Sequence, residues 1–134
     1  MSELDFSQFH DGHMTGVQLG EGAVTLRLAR EDGRPFELLL SGLKALQIED
    51  FREGNVVNHI EIFTDAFPQD SALIERLYPS PHPSAARQYH EANAGFLARQ
   101  LASIRSGEAM LIVIGSSYGA SVIAHCEGAA LSAR

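Results

Sequence analysis

Residues 36–63 read FELLLSGLKALQIEDFREGNVVNHIEIF, and their spacing decides the fold. Leu38 and Leu40, then Leu46 and Ile48, then Val56, Ile60 and Ile62 recur at even spacings, which puts each set on one face of a pleated strand. Three adjacent strands sharing an apolar face follow. In the last of them Val56, Asn58, Ile60 and Ile62 point one way and Val57, His59, Glu61 and Phe63 the other. Neither set is purely polar, so this strand is expected to be central or covered on both sides.

The pattern extends upstream. Val24, Leu26 and Leu28 alternate with Thr25, Arg27 and Arg30, the rhythm of a half-buried antiparallel strand. Gly20 and Gly22 bracket the turn before it, and Asp32-Gly33 favours a hairpin after it because both residues tolerate positive φ. With a first strand over 14–19, an antiparallel β-meander of about five strands is expected over 14–64.

Downstream the period changes, and helices are expected over 70–106. Asp70 can cap a short helix over 71–78, which Pro79 and the following SPHPS end. Ser84 can cap a longer one to about residue 105, with Tyr89, Phe96, Leu97, Leu101 and Ile104 forming a stripe to pack on the sheet. The run AMLIVI at 109–114 reads as a buried strand. Residues 120–133 fit either a returning strand or an alanine-rich helix. The β-branched Val122 and Ile123, with Gly128 interrupting any helix, favour a terminal hairpin over 109–127, turning through 116–119. The whole, residues 1–134, is expected to be a single α+β domain, the meander carrying a packed C-terminal helix and that hairpin.

Of the 134 residues 45% are hydrophobic and 20% charged, a globular composition. The charge of −7 is unevenly placed: residues 1–70 hold 13 acidic and 5 basic side chains, residues 71–134 hold 4 and 5. An acidic sheet half without a lysine or arginine run disfavours nucleic acid and anionic membrane and suits a basic protein partner. The apolar runs are too short to cross a bilayer and the first residues carry no export pattern, so a cytoplasmic location is expected. The single cysteine, Cys126, has apolar neighbours and reads as a buried, inert thiol.

Three stretches invite chemistry. Gly115-Ser116-Ser117-Tyr118-Gly119 fits G-x-S-x-G after an apolar strand, but only 17 residues follow Ser117, with no aspartate and only His125 and Glu127. These lie where the elbow's own continuation must run, so a hydrolase triad is refused. His10, Asp11 and His13, with His59 and Glu61 on one strand face, supply ligands for a divalent metal if the two loops meet. Glu49, Asp50 and Glu53 form an acidic cluster suited to partner binding.

The opening FHDGH (residues 9–13) and the later GLKALQIEDFREGNVVNHIEI (residues 42–62) resemble small bacterial α+β domains of uncharacterised function, among them predicted immunity proteins of polymorphic toxin systems. The resemblance spans residues 6–63. It implies a non-enzymatic protein that binds and blocks a partner protein, and carries over no catalytic residue. A protein-binding module without a cofactor is therefore expected. The alternative is a small metal- or ligand-binding domain or enzyme built on His10, Asp11, His13, His59 and Glu61. A homodimer is expected through Val122 and Ile123, because the C-terminal apolar strands exceed what one helical stripe covers.

Overall fold

The computed structural model describes residues 5–64 and 72–134. A 3-10 turn, Ser7–Phe9, precedes β1 (His13–Gly20), β2 (Ala23–Ala29), β3 (Pro35–Ser41), β4 (Ala45–Glu49) and β5 (Asn55–Phe63). Then come α1 (Ala72–Leu77), α2 (Arg87–Arg105), β6 (Met110–Tyr118), β7 (Ser121–Cys126) and β8 (Gly128–Ala133). The class is α+β with an antiparallel sheet. Among the described residues the sheet has eight strands rather than five, in the order β4-β7-β6-β5-β1-β2-β3-β8.

The two ends of that order are joined by the chain itself. Ser41 pairs with Gly128 and Ala45 with His125, so residues 42–44 on one side face residues 126–127 on the other, a β-bulge. Lys44 N donates to His125 O at 2.8 Å and Glu127 N to Ser41 O at 3.0 Å, which carries the pairing through the bulge. Gly42 sits there at φ 58°, and a Cβ on it would run into the Glu127 side chain. Thus β3 runs on into β4 and β7 into β8 as two long bent strands. The sheet closes as a barrel, β1, β2, β3/β4, β7/β8, β6, β5 and back to β1.

The expected meander holds through β3 and fails at β4. Ile48 faces Val122 and Leu46 faces Ala124, so β4 pairs with β7 and not with its neighbours in sequence. Alternation fixes which side chains face inward but not which strand lies alongside. In β5 the alternation itself breaks. The register shifts between Val57 and His59 leave Asn58 as an extra residue, so both Val57 and Ile60 face the core.

Side chains from every strand fill the barrel, with Leu26, Leu38, Leu40, Ile112 and Ile114 fully covered. Each such burial stabilises by about 1.5–3 kcal/mol before entropy is counted. Phe9 plugs the interior, its ring edge-on to Phe36 at 5.2 Å. A second apolar layer lies outside the wall, where Ile74 of α1 and Ile104 of α2 cover Leu111 and Ile123. The Phe96 ring meets Tyr78 edge-on at 5.0 Å, while Tyr89 at the start of the expected stripe stays exposed.

The long helix starts at Arg87 with no side-chain cap. Ser84 is instead tied to His82, Oγ to Nδ1 at 2.7 Å. Asp70 and Ser71 lie outside the described residues. The terminal hairpin is present, and β8 continues it as a further strand, so of residues 120–133 Ser121–Cys126 and Gly128–Ala133 take the strand alternative and none is helical. No helix among the described residues is long and apolar enough to cross a membrane.

Candidate functional site at the mouth of the barrel

The barrel wall is incomplete along β1. Its pairing with β5 stops after His13 with Val56 and Met14 with Asn55, and beyond Met14 only β2, among the described residues, lies beside it. A bulge at Thr15 coincides with this point. The connection 50–54 then turns away toward β5, with Asp50 at φ 62° and Gly54 at φ 80° setting its path. Two adjoining cavities occupy the gap. One of about 460 Å³ is lined by residues 13–15 and 51–54, and one of about 370 Å³ by Thr15, Gly16, Val17, Ile48 and Phe51.

The rim combines apolar surface with acid. Leu19 lies opposite Val24 and so on the inner face of the wall, yet it is 69% exposed because no other described residue covers the mouth there. Phe51 is 48% and Tyr118 is 52% exposed. The Arg52 guanidinium lies over the Tyr118 ring at 5.8 Å and pairs with Asp50 at 3.4 Å. Its hydrogen bond to Asp50, and then its contact with Tyr118, raise its pKa further above the ordinary range. Glu49 pairs with Arg76 of α1 at 3.6 Å. Glu53 lines the larger cavity and has no ion-pair partner among the described residues.

Asn55 holds this site to the barrel. It is 1% exposed, its Oδ1 accepting from Arg52 N at 2.8 Å and from Ala120 N at 2.9 Å. Its Nδ2 donates to Met14 O at 3.1 Å, so one side chain ties the acidic loop, the β6–β7 turn and β1 together. Three hydrogen bonds satisfy most of a buried amide's capacity.

The expected metal ligands meet only in part. His10 Nδ1 contacts Asn58 O at 2.8 Å, and Asn58 Nδ2 approaches His59 Nδ1 at 3.3 Å, so the two segments do come side by side. The backbone bond to Asn58, then Asp11, raises the His10 pKa above its ordinary value. His10 pairs with Asp11 at 3.6 Å and His59 with Glu61 at 3.4 Å. His13 lines the larger cavity, which none of the other four lines. Among the described residues no group of three or more histidine, cysteine, aspartate or glutamate side chains is arranged to hold a metal ion.

The serine motif lies within an antiparallel strand and its turn, Ser116 Oγ donating to Gly119 O at 2.8 Å, with no strand-to-helix elbow. Cys126 is buried, its thiol pushed up to about 11 by burial. Val122 and Ile123 are 0% and 3% exposed, Val122 inside the barrel and Ile123 under the helices. The chain's own layers cover them, so neither side chain offers the dimer contact expected of it.

Charge in the sequence picks out Glu49, Asp50 and Glu53 and gives no sign of Leu19, Phe51 or Tyr118. Phe51 carried a signal: an aromatic ring flanked by Asp50 and Arg52 in a polar connection has no strand or helix face to bury it. Comparison with protein-family models, with curated protein sequences and with solved structures finds no match.

Proposed function

We propose that the protein is a non-enzymatic binding module for another protein, an inhibitor of the immunity type in its mode of action, and that the partner seats at the barrel mouth. The observation that carries this reading is the rim itself, where Leu19 and Phe51 stand exposed beside a gap in the wall. Aromatic and aliphatic anchors ringed by polar groups are what protein interfaces bury at their centres. The acidic loop bearing Glu49, Asp50 and Glu53 would steer a basic partner and make association depend on salt.

A photo-crosslinking phenylalanine analogue placed at Phe51, with the same analogue at the outward Leu39 as control, tests the reading in the source cells. A discrete adduct from position 51 only, diminished by added salt, is the expected result. Identical adduct patterns from both positions, or none from position 51, would refute it.

A further inference from the structure

The free edge of β1 has a definite hydrogen-bonding direction. Pro35 O accepts from Arg134 N and Ser41 O from Glu127 N, so the odd-numbered residues of β3 turn their backbone groups toward β8. The even-numbered ones therefore turn toward β2, because direction alternates along a strand. One strand further, Ala23, Thr25 and Arg27 bond Gly20, Gln18 and Gly16, as the two-residue connection 21–22 also requires. Val17 and Leu19 are left with both amide and carbonyl groups directed away from β2. Among the described residues no strand lies on that side and no backbone hydrogen bond reaches them.

We propose that this edge is completed by an extended segment of a partner protein, added antiparallel to β1 across residues 15–19, apolar at alternate positions and basic at the others. The proposal rests on the protein-binding reading above and gives it a mode. Addition to an open edge supplies backbone hydrogen bonds, while alternate side chains find pockets. The inward set of such a strand meets Leu19, Val17 and Phe51 at the mouth. The basic set answers the local field: the nearby Arg27 and Arg52 are paired with Glu37 and Asp50, whereas Glu21 at the hairpin tip and Glu53 across the gap have no ion-pair partner among the described residues. A second copy of this chain is the poorer occupant, because each copy brings a charge of −7 and the same acidic rim.

Three capped heptapeptides test it by amide shifts and hydrogen exchange of the whole chain: one alternating valine with lysine, one with glutamate replacing lysine, and the lysine peptide N-methylated at alternate residues. The lysine peptide is expected to protect the Val17 and Leu19 amides and to bind about tenfold more tightly than the glutamate peptide at low salt. The N-methylated peptide should not bind. Leu19→Pro removes an outward N–H from an exposed position and should abolish binding with the fold kept, whereas Gln18→Pro breaks the β1–β2 ladder. Failure of the lysine peptide to bind, or equal binding of the N-methylated one, overturns the edge proposal. Shifts confined to Phe51 and Tyr118 overturn it too, while leaving the mouth as the binding site. Protection of Val17 and Leu19 that grows with protein concentration and needs no peptide would make a second copy the occupant and also overturn it. Loss of the position-51 crosslink, by contrast, tells against the protein-binding reading as a whole.

Discussion

The Tyr78 hydroxyl and Nδ1 of His125 lie 2.8 Å apart, joining the end of the first helix to the outer face of β7. The two rings also meet edge-on at 5.9 Å. His125 is 0% exposed and its Nε2 has no partner, so the phenol is the only side-chain hydrogen bond this imidazole makes among the described residues. Burial, and secondarily Lys44, lowers its pKa below the ordinary 6.5, while burial raises that of Tyr78. Both groups are neutral at neutral pH.

A depressed histidine pKa means that the unfolded chain binds the proton more readily. Stability from this residue is therefore complete above pH 6.5 and is lost as pH falls from 6.5 through the lower folded value. Urea titrations between pH 7.5 and 5 should show this acid limb, and His125→Gln should flatten it. Tyr78→Phe should cost about 1–3 kcal/mol at neutral pH, since it leaves a buried ring nitrogen unpaired. A Tyr78→Phe variant as stable as the parent would show that the bond contributes nothing.

Asn55 joins three chain segments that are distant in sequence, and removing its amide strands Ala120 N, Arg52 N and Met14 O together. Asn55→Ala is expected to lose about 2–4 kcal/mol in denaturant titration. Asn55→Asp keeps both acceptors but sets an oxygen against Met14 O and buries a charge, so its loss should deepen as pH rises through the carboxylate range. Equal stability of Asn55→Asp and the parent at pH 7 would contradict this arrangement.

Gly119, at φ 81°, is where the Asn55 carboxamide seats, and a Cβ there would collide with Asn55 Oδ1 and crowd its backbone. Gly33 has a similar φ of 89° but open space around it. Gly119→Ala should therefore cost more than Gly33→Ala, which carries only the backbone strain of about 1 kcal/mol. In a double-mutant cycle, Gly119→Ala should cost less in the Asn55→Ala background than in the parent, because the colliding atom is gone. Additive losses would place the strain elsewhere.

Much of the sheet was legible because even spacing of Leu38, Leu40, Leu46 and Ile48 is a local property of one strand. What spacing leaves out is partner choice. Nothing in the residues of β4 distinguishes β7 from β5 as its neighbour, and the crossing that decides it depends on Gly42 and Glu127 meeting from opposite ends of the chain. The strand β8 was half legible: Ala129 and Leu131 alternate but contribute little apolar area, so the favoured hairpin stops at 127 and the 128–133 stretch carries no strand signal of its own. At the site, charge drew attention to the acidic loop. The exposure of Leu19 follows from a missing neighbour, which no local pattern records.

Val122 and Ile123 are adjacent in β7 and therefore face opposite sides of the wall, Val122 into the barrel core and Ile123 against Ile74 and Ile104. A surface pair would tolerate aspartate and merely dissociate a dimer. These two should instead lose the fold in different ways. Val122→Asp places a carboxylate among fully covered apolar side chains and is expected to cost about 4 kcal/mol or more, most of the stability of a domain near the low end of the ordinary range. Ile123→Asp sets its carboxylate at the seam between wall and helices, on the strand face that also carries His125 and its Tyr78 partner. It should loosen α1 and α2 first, exposing Tyr78, while the barrel amides stay protected. Hydrogen exchange distinguishes the cases: protected barrel with unprotected helices for Ile123→Asp, general exchange for Val122→Asp. Phe51→Ser, outside both cores, should leave exchange unchanged. Either aspartate variant remaining fully protected, and changing only in apparent mass, would place these side chains on an interface between copies instead.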